Sequence, residues 1–223
     1  IPARDAIRAR LTELWNYERY GLPNKEGGKY FITRNDGLQN QSVLYVMDRL
    51  DGEARVLLDP NTLSSDGTVA LSGTAVSPDG KYLAYGTSSG GSDWQEWRVR
   101  DIATGQDLAD KLSWVKFSGA AWNKDGSGFY YSRYDEPTGE DKLKAVNENH
   151  QVWFHRIGTP QSADTLVYQR TDQPKWLIDA EVSDDGRYLV LSINAGSAGS
   201  NRVFFRDLGD SQQRVVELLP DAD

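Results

Sequence analysis

Ser77-Pro78-Asp79-Gly80-Lys81-Tyr82-Leu83-Ala84-Tyr85 reads as a tight turn running straight into a buried strand. Ser and Asp side chains bond to turn backbone, and Gly tolerates positive φ. The aromatic and apolar residues that follow suit a pleated, buried surface. The pattern occurs three more times, as Asn24-Lys25-Glu26-Gly27-Gly28-Lys29-Tyr30-Phe31-Ile32, Asn123-Lys124-Asp125-Gly126-Ser127-Gly128-Phe129-Tyr130-Tyr131 and Ser183-Asp184-Asp185-Gly186-Arg187-Tyr188-Leu189-Val190-Leu191. A second strand-like element follows each copy: Leu44–Asp48, Trp97–Asp101, Val152–Arg156 and Val203–Asp207.

The anchor glycines at 28, 80, 126 and 186 recur at a period of roughly 50 residues, with room for about four strands per repeat, the signature of a propeller blade. A β-sandwich with repeated hairpins is the competing architecture, but two elements recurring in one order favour the propeller. The fold class is therefore all-β, a partial β-propeller of about four blades. Rings close with roughly four to eight blades. A narrow four-bladed ring and a segment of a larger ring both stay open. The stretch Leu218–Asp223 reads as an unfinished blade, with no strand to close back onto the start.

The first twenty residues differ. Ala6, Ile7, Leu11, Leu14 and Trp15 are apolar at helical spacing. Residues 1–20 are thus expected to form a helical lead into blades spanning 21–223. Residues 135–149 are polar, lack a strand pattern and read as a long loop.

The chain has 223 residues and a net charge of −8. That balance argues against nucleic acid, whose phosphates require a basic face, and against anionic lipid. No apolar run approaches the roughly 20 residues of a membrane span. With no cysteine, disulfides and thiolate chemistry are excluded. Cysteine-free composition fits a reducing cytoplasm and also a bacterial periplasm. The 7 Trp, 11 Tyr and 6 Phe can fill a core, which argues against disorder.

Catalytic patterns are sparse. Gly86-Thr87-Ser88-Ser89-Gly90 matches G-x-S-x-G, but a nucleophile elbow needs a helix after the serine. Here another strand pattern follows, so the stretch reads as a hairpin. His150 ends the polar loop, and His155 alternates with Trp153 and reads as a surface or edge residue. Neither faces a candidate nucleophile. The pairs Asp184-Asp185 and Asp51/Glu53 sit at turn tips, where Asp is favoured locally. No metal-ligand spacing or phosphate loop is found, and no cofactor is expected.

Several runs together resemble the prolyl oligopeptidase family. They include Gly37-Leu38-Gln39-Asn40-Gln41 with Val43-Leu44-Tyr45-Val46, Leu58-Asp59-Pro60-Asn61, Asp66-Gly67-Thr68-Val69-Ala70-Leu71 and Gly91-Ser92-Asp93-Trp94. Val115-Lys116-Phe117-Ser118 with Ala121-Trp122, and Pro174-Lys175-Trp176, continue the set in family order. The resemblance implies the first blades of a seven-bladed propeller, from the bacterial branch. In that family the propeller caps an α/β-hydrolase domain, whose Ser, Asp and His cleave peptides after proline. This chain departs from the family in holding neither that domain nor the triad.

The resemblance further implies a size filter for short proline-containing peptides and a share of the substrate subsites. Phe117 and Leu177 match positions that pack against substrate, with Met usual at the latter in animal enzymes. Ser197 stands where those enzymes have Cys. Asp93 is implied to face the hydrolase domain, and the 135–149 loop to act as a gate. Read without the resemblance, Phe117 is an alternating strand residue, Leu177 core, Ser197 plain turn and Asp93 a turn cap. Two rivals remain: a free-standing propeller that binds peptides or proteins without chemistry, and a dipeptidyl-peptidase-like or acylaminoacyl-peptidase-like relative.

Overall fold

The computed structural model describes residues 3–137, 147–196 and 201–221. The chain divides into two compact units, Ile1–Ala70 and Leu71–Asp223. In the first, helix α1 (Arg4–Trp15) precedes an antiparallel sheet of β1 (Arg19–Tyr20), β2 (Asn24–Glu26), β3 (Lys29–Asn35), β4 (Val43–Met47) and β5 (Arg55–Leu58). Phe31, Val43, Leu44, Val46, Met47, Leu57 and Leu58 are its buried apolar residues. The predicted helix forms, but none of its residues is buried.

Three antiparallel meanders follow. The first is β6 (Val69–Val76), β7 (Tyr82–Ser89), β8 (Gln95–Asp101) and β9 (Asp107–Val115). The next is β10 (Ala121–Trp122), β11 (Gly128–Arg133), β12 (Gln151–Arg156) and β13 (Thr165–Gln169). The last is β14 (Trp176–Val182), β15 (Tyr188–Ala195), β16 (Arg202–Asp207) and β17 (Val215–Leu219). Counting the sheet of the first unit, these are the second, third and fourth meanders of the chain. The second and third join through one pair, Arg133 with Val115, and the fourth is a separate sheet. The expected unfinished C-terminal blade is corrected by β17. Val215 and Val216 pair with Arg206 and Phe205, and a register shift at Val203/Phe204 absorbs the irregular polar turn before it.

The repeated turn has a common chemistry. The Gly80 N–H donates to the Ser77 carbonyl, and the Tyr82 N–H to Ser77 Oγ. Gly186, Tyr188 and Ser183 repeat both bonds. In the third copy the Asn123 side chain replaces the Ser hydroxyl and accepts from the Gly128 N–H. The first copy departs from this: β2 and β3 meet across Gly27-Gly28, both at positive φ, in a two-residue hairpin.

Within the second unit the apolar core lies between successive meanders. Trp97, Val99 and Leu112 of the second pack with Trp122, Phe129 and Tyr131 of the third. Tyr130 and Val152 of the third pack with Ile178, Leu191, Ile193 and Phe204 of the fourth. Strand alternation produces this: Phe129 and Tyr131 face one neighbour and Tyr130 the other. The G-x-S-x-G stretch is the hairpin expected of it, with β7 ending at Ser89 and β8 beginning at Gln95.

Candidate functional site

At the end of β9 and just after it the chain kinks. Trp114 has φ 62° and Phe117 φ 52°, left-handed values that side chains other than Gly, Asn and Asp rarely adopt. Phe117 is therefore not the alternating strand residue its sequence neighbours suggest. It sits in a bend, 49% exposed. Opposite it runs β14, on which Trp176, Ile178 and Ala180 turn into the core while Leu177 and Asp179 turn out.

Phe117, Ser118 and Gly119 form one wall of a recess of about 370 Å³, and Leu177, Ile178, Asp179 and Asn194 line the rest. Asp179 is exposed as a residue, yet partial desolvation of its carboxyl raises it above its ordinary value, the Ala180 N–H opposes that shift, and the charge of Glu181 adds to it. The recess thus offers an aromatic ring, an aliphatic side chain and a carboxyl group within one concavity.

Lys116 is 8% exposed. Its ammonium lies 5.1 Å from the ring centres of both Trp94 and Phe117, and 3.5 Å from Asp93 Oδ2. Asp93 itself is mostly exposed, so the pair is tethered but open to solvent on the acid side. Of the four residues singled out from sequence, Phe117 and Leu177 share the recess, while Asp93 lines none of it and pairs with Lys116, whose ammonium lies over the Phe117 ring. Ser197 lies outside the described residues, as does the central part of the 135–149 loop.

Two buried residues behind the recess were not singled out. His150, 2% exposed, accepts from the Ile178 N–H at Nδ1 and donates from Nε2 to the Lys116 carbonyl, both at 3.0 Å. An N–H can only donate, so the ring is the neutral Nε2–H tautomer. Burial lowers its pKa to about 4, with the Lys116 carbonyl acting in the opposite direction. Ser132, 1% exposed, donates from Oγ to the Ile178 carbonyl at 2.7 Å. Its own N–H donates to Ser118 Oγ, also at 2.7 Å. The only sequence hint was a His where a polar run meets a strand.

His155 corrects a second expectation. It is fully buried, with Nδ1 on Asp164 and Nε2 on Asp110. The Tyr131 hydroxyl donates to the second oxygen of Asp164. A hydrophobic strand face accommodates an imidazole here because both ring nitrogens meet a carboxylate. The group is structural and faces no nucleophile. Among the described residues no group of three or more His, Asp or Glu is arranged to hold a metal ion. No helix among them is long and apolar enough to cross a membrane.

The family model for the prolyl oligopeptidase N-terminal beta-propeller domain matches residues 1–223. The prolyl endopeptidase of Elizabethkingia meningoseptica is 41% identical over 208 residues, covering 93% of this chain and 29% of the relative. Prolyl oligopeptidase ophP of Omphalotus olearius is 35% identical, covering 94% of this chain and 31% of its own length. Among solved structures, one from a study of two prolyl endopeptidases and their inter-domain dynamics aligns over 100% of this chain at 41% identity and TM-score 0.83. Prolyl oligopeptidase B from Galerina marginata, bound to a 35mer hydrolysis and macrocyclization substrate, aligns over 99% at 28% identity and TM-score 0.87. The chain spans less than a third of the length of the curated relatives it matches.

Proposed function

The chain belongs to the prolyl oligopeptidase family, within its N-terminal β-propeller domain, and from that premise we propose that it is the propeller portion of a serine-type endopeptidase cleaving short peptides after proline. Residues 1–20 lead into the propeller, and residues 21–223 supply about four blades of a seven-bladed ring over an α/β-hydrolase domain. The described residues contain no serine elbow, so the nucleophile and its His and Asp belong to that other domain.

The propeller portion acts in two ways. A ring with a narrow axis admits flexible short chains and excludes folded proteins. Its recess between Phe117 and Leu177 receives apolar residues upstream of the proline, because an aromatic face and an aliphatic side chain meet there. That meeting of residues from two meanders is the observation that carries the reading. Asp93, held to Lys116, faces the hydrolase domain.

The test is made on the full-length gene product. Hydrolysis of a proline-containing peptide, with inactivation by a serine-directed phosphonate, is the expected result. Cleavage of small peptides but not of a folded protein carrying the same sequence is expected with it. A product lacking peptidase activity, yet binding proline peptides, would make the chain a binding module.

A further inference from the structure

The recess has walls from different meanders, and no strand pairing joins them at this point. Its Phe117 wall follows β9, and its Leu177 wall is β14. A pair of side chains bridges them. His150 ties the Lys116 carbonyl to the Ile178 N–H. Ser132 ties Ser118 Oγ, through its own N–H, to the Ile178 carbonyl, through its Oγ. The anchors at 116 and 118 bracket Phe117. The anchor at 178 uses both backbone polar groups of the residue between Leu177 and Asp179. Both bridging residues are buried, so water does not compete for these bonds.

The two bridges are not interchangeable with packing. Deleting either leaves Ile178 with an unsatisfied backbone group in an apolar setting, and the strand can recover the bond only by moving. A shift of about 1 Å in one wall is enough to unseat a bound side chain. The left-handed backbone at Phe117 adds to the requirement, since that conformation persists only while its neighbours hold it.

We propose that His150 and Ser132 are positioning residues that set the width of the Phe117–Leu177 recess, and through it the gain in affinity for peptides long enough to enter it. This rests on the peptidase reading above. Neither residue touches the scissile bond, so the effect belongs in KM for longer substrates and spares chemistry on the shortest.

The experiment uses the full-length gene product with His150→Leu, His150→Gln and Ser132→Ala. Substrates are N-acylated chromogenic prolines carrying none, one, two or three residues upstream. Wild type is expected to gain kcat/KM as upstream residues are added. In His150→Leu and Ser132→Ala the gain from the residue that enters the recess falls about tenfold, through KM. Turnover of the shortest substrate stays within about twofold. His150→Gln, whose amide can accept from Ile178 and donate to Lys116, keeps most of the gain. An equal loss on every substrate, an unchanged length dependence, or no difference between His150→Gln and His150→Leu would overturn the positioning role. Should His150→Leu fail to fold, Ser132→Ala and His150→Gln still decide between these results. No hydrolysis by wild type at any length would instead overturn the peptidase reading, and the positioning role with it.

Discussion

Nε2 of His155 stands 2.9 Å from Oδ1 of Asp110, and the two residues come from adjacent meanders. The other ring nitrogen is 2.7 Å from Oδ1 of Asp164, so the imidazole carries both protons and sits as a cation between two carboxylates. Burial opposes that charge. The hydrogen bonds and charges of Asp110 and Asp164 outweigh it and raise the pKa to about 9. Asp110 is affected reciprocally: burial works against its ionised form, yet His155 and the Gly158 N–H hold its carboxyl below the ordinary value.

This network has an alkaline signature. The folded pKa lies above the unfolded value of about 6.5. The stabilisation is therefore complete below about pH 6.5 and is lost as pH rises through about 9. The loss is on the order of 3 kcal/mol. Urea unfolding across this window is expected to show the decline, and His155→Gln to flatten it. A wild-type stability that is level from pH 6.5 to 9 would exclude the buried cation.

His150 contributes the opposite slope. Its pKa is lowered to about 4, so between about 4 and 6.5 the unfolded chain binds the proton and the folded chain does not. Stability is expected to rise with pH across that window and to reach its maximum near 6.5, where the two slopes meet. The same titration on His150→Gln should lack the acid-side slope and retain the alkaline one.

Phe117 can be dissected by two truncations. Phe117→Ala and Phe117→Gly both remove the ring, but only glycine relaxes at φ 52°. The glycine variant is expected to be the more stable by about 1 kcal/mol in denaturant unfolding. Equal midpoints would mean that the bend readjusts once the ring is gone.

Close backbone approach sets a further contrast. A Cβ at Gly128 would stand 2.2 Å from the His155 carbonyl oxygen and 2.6 Å from a Phe154 ring carbon. Gly128→Ala is expected to cost about 3 kcal/mol, since the first obstacle is paired backbone. A Cβ at Gly119 meets nothing within 4 Å, and Gly119→Ala is expected to stay within about 0.5 kcal/mol of wild type. Thermal unfolding of the two variants side by side tests both statements.

Local chemistry was legible in the sequence, and long-range pairing was not. The Ser77, Asn123 and Ser183 turns could be read because their bonds close within six residues. The strands at 43–47, 95–101, 151–156 and 202–207 lie where the second element of each repeat was expected, because that element recurs in one order after every turn. His155 was misread because its partner Asp110 is 45 residues away, and nothing in Val152–Arg156 signals a carboxylate. Phe117 was given a strand's alternation because positive φ at a non-glycine leaves no mark in composition. Leu177 and Phe117 could be named from family likeness, but their meeting depends on His150 and Ser132, whose roles exist only once the third and fourth meanders pack together.

The saturation of Ile178 also bears on self-association. β14 is an edge strand, and an exposed edge is a template for another chain. Along this edge the Trp176 N–H is taken by the Gln173 carbonyl and the Ile178 N–H by His150. An incoming strand would find two successive donors already engaged and, at Ile178, the acceptor as well. The side chains that shape the recess thus also act as a guard against edge-to-edge aggregation.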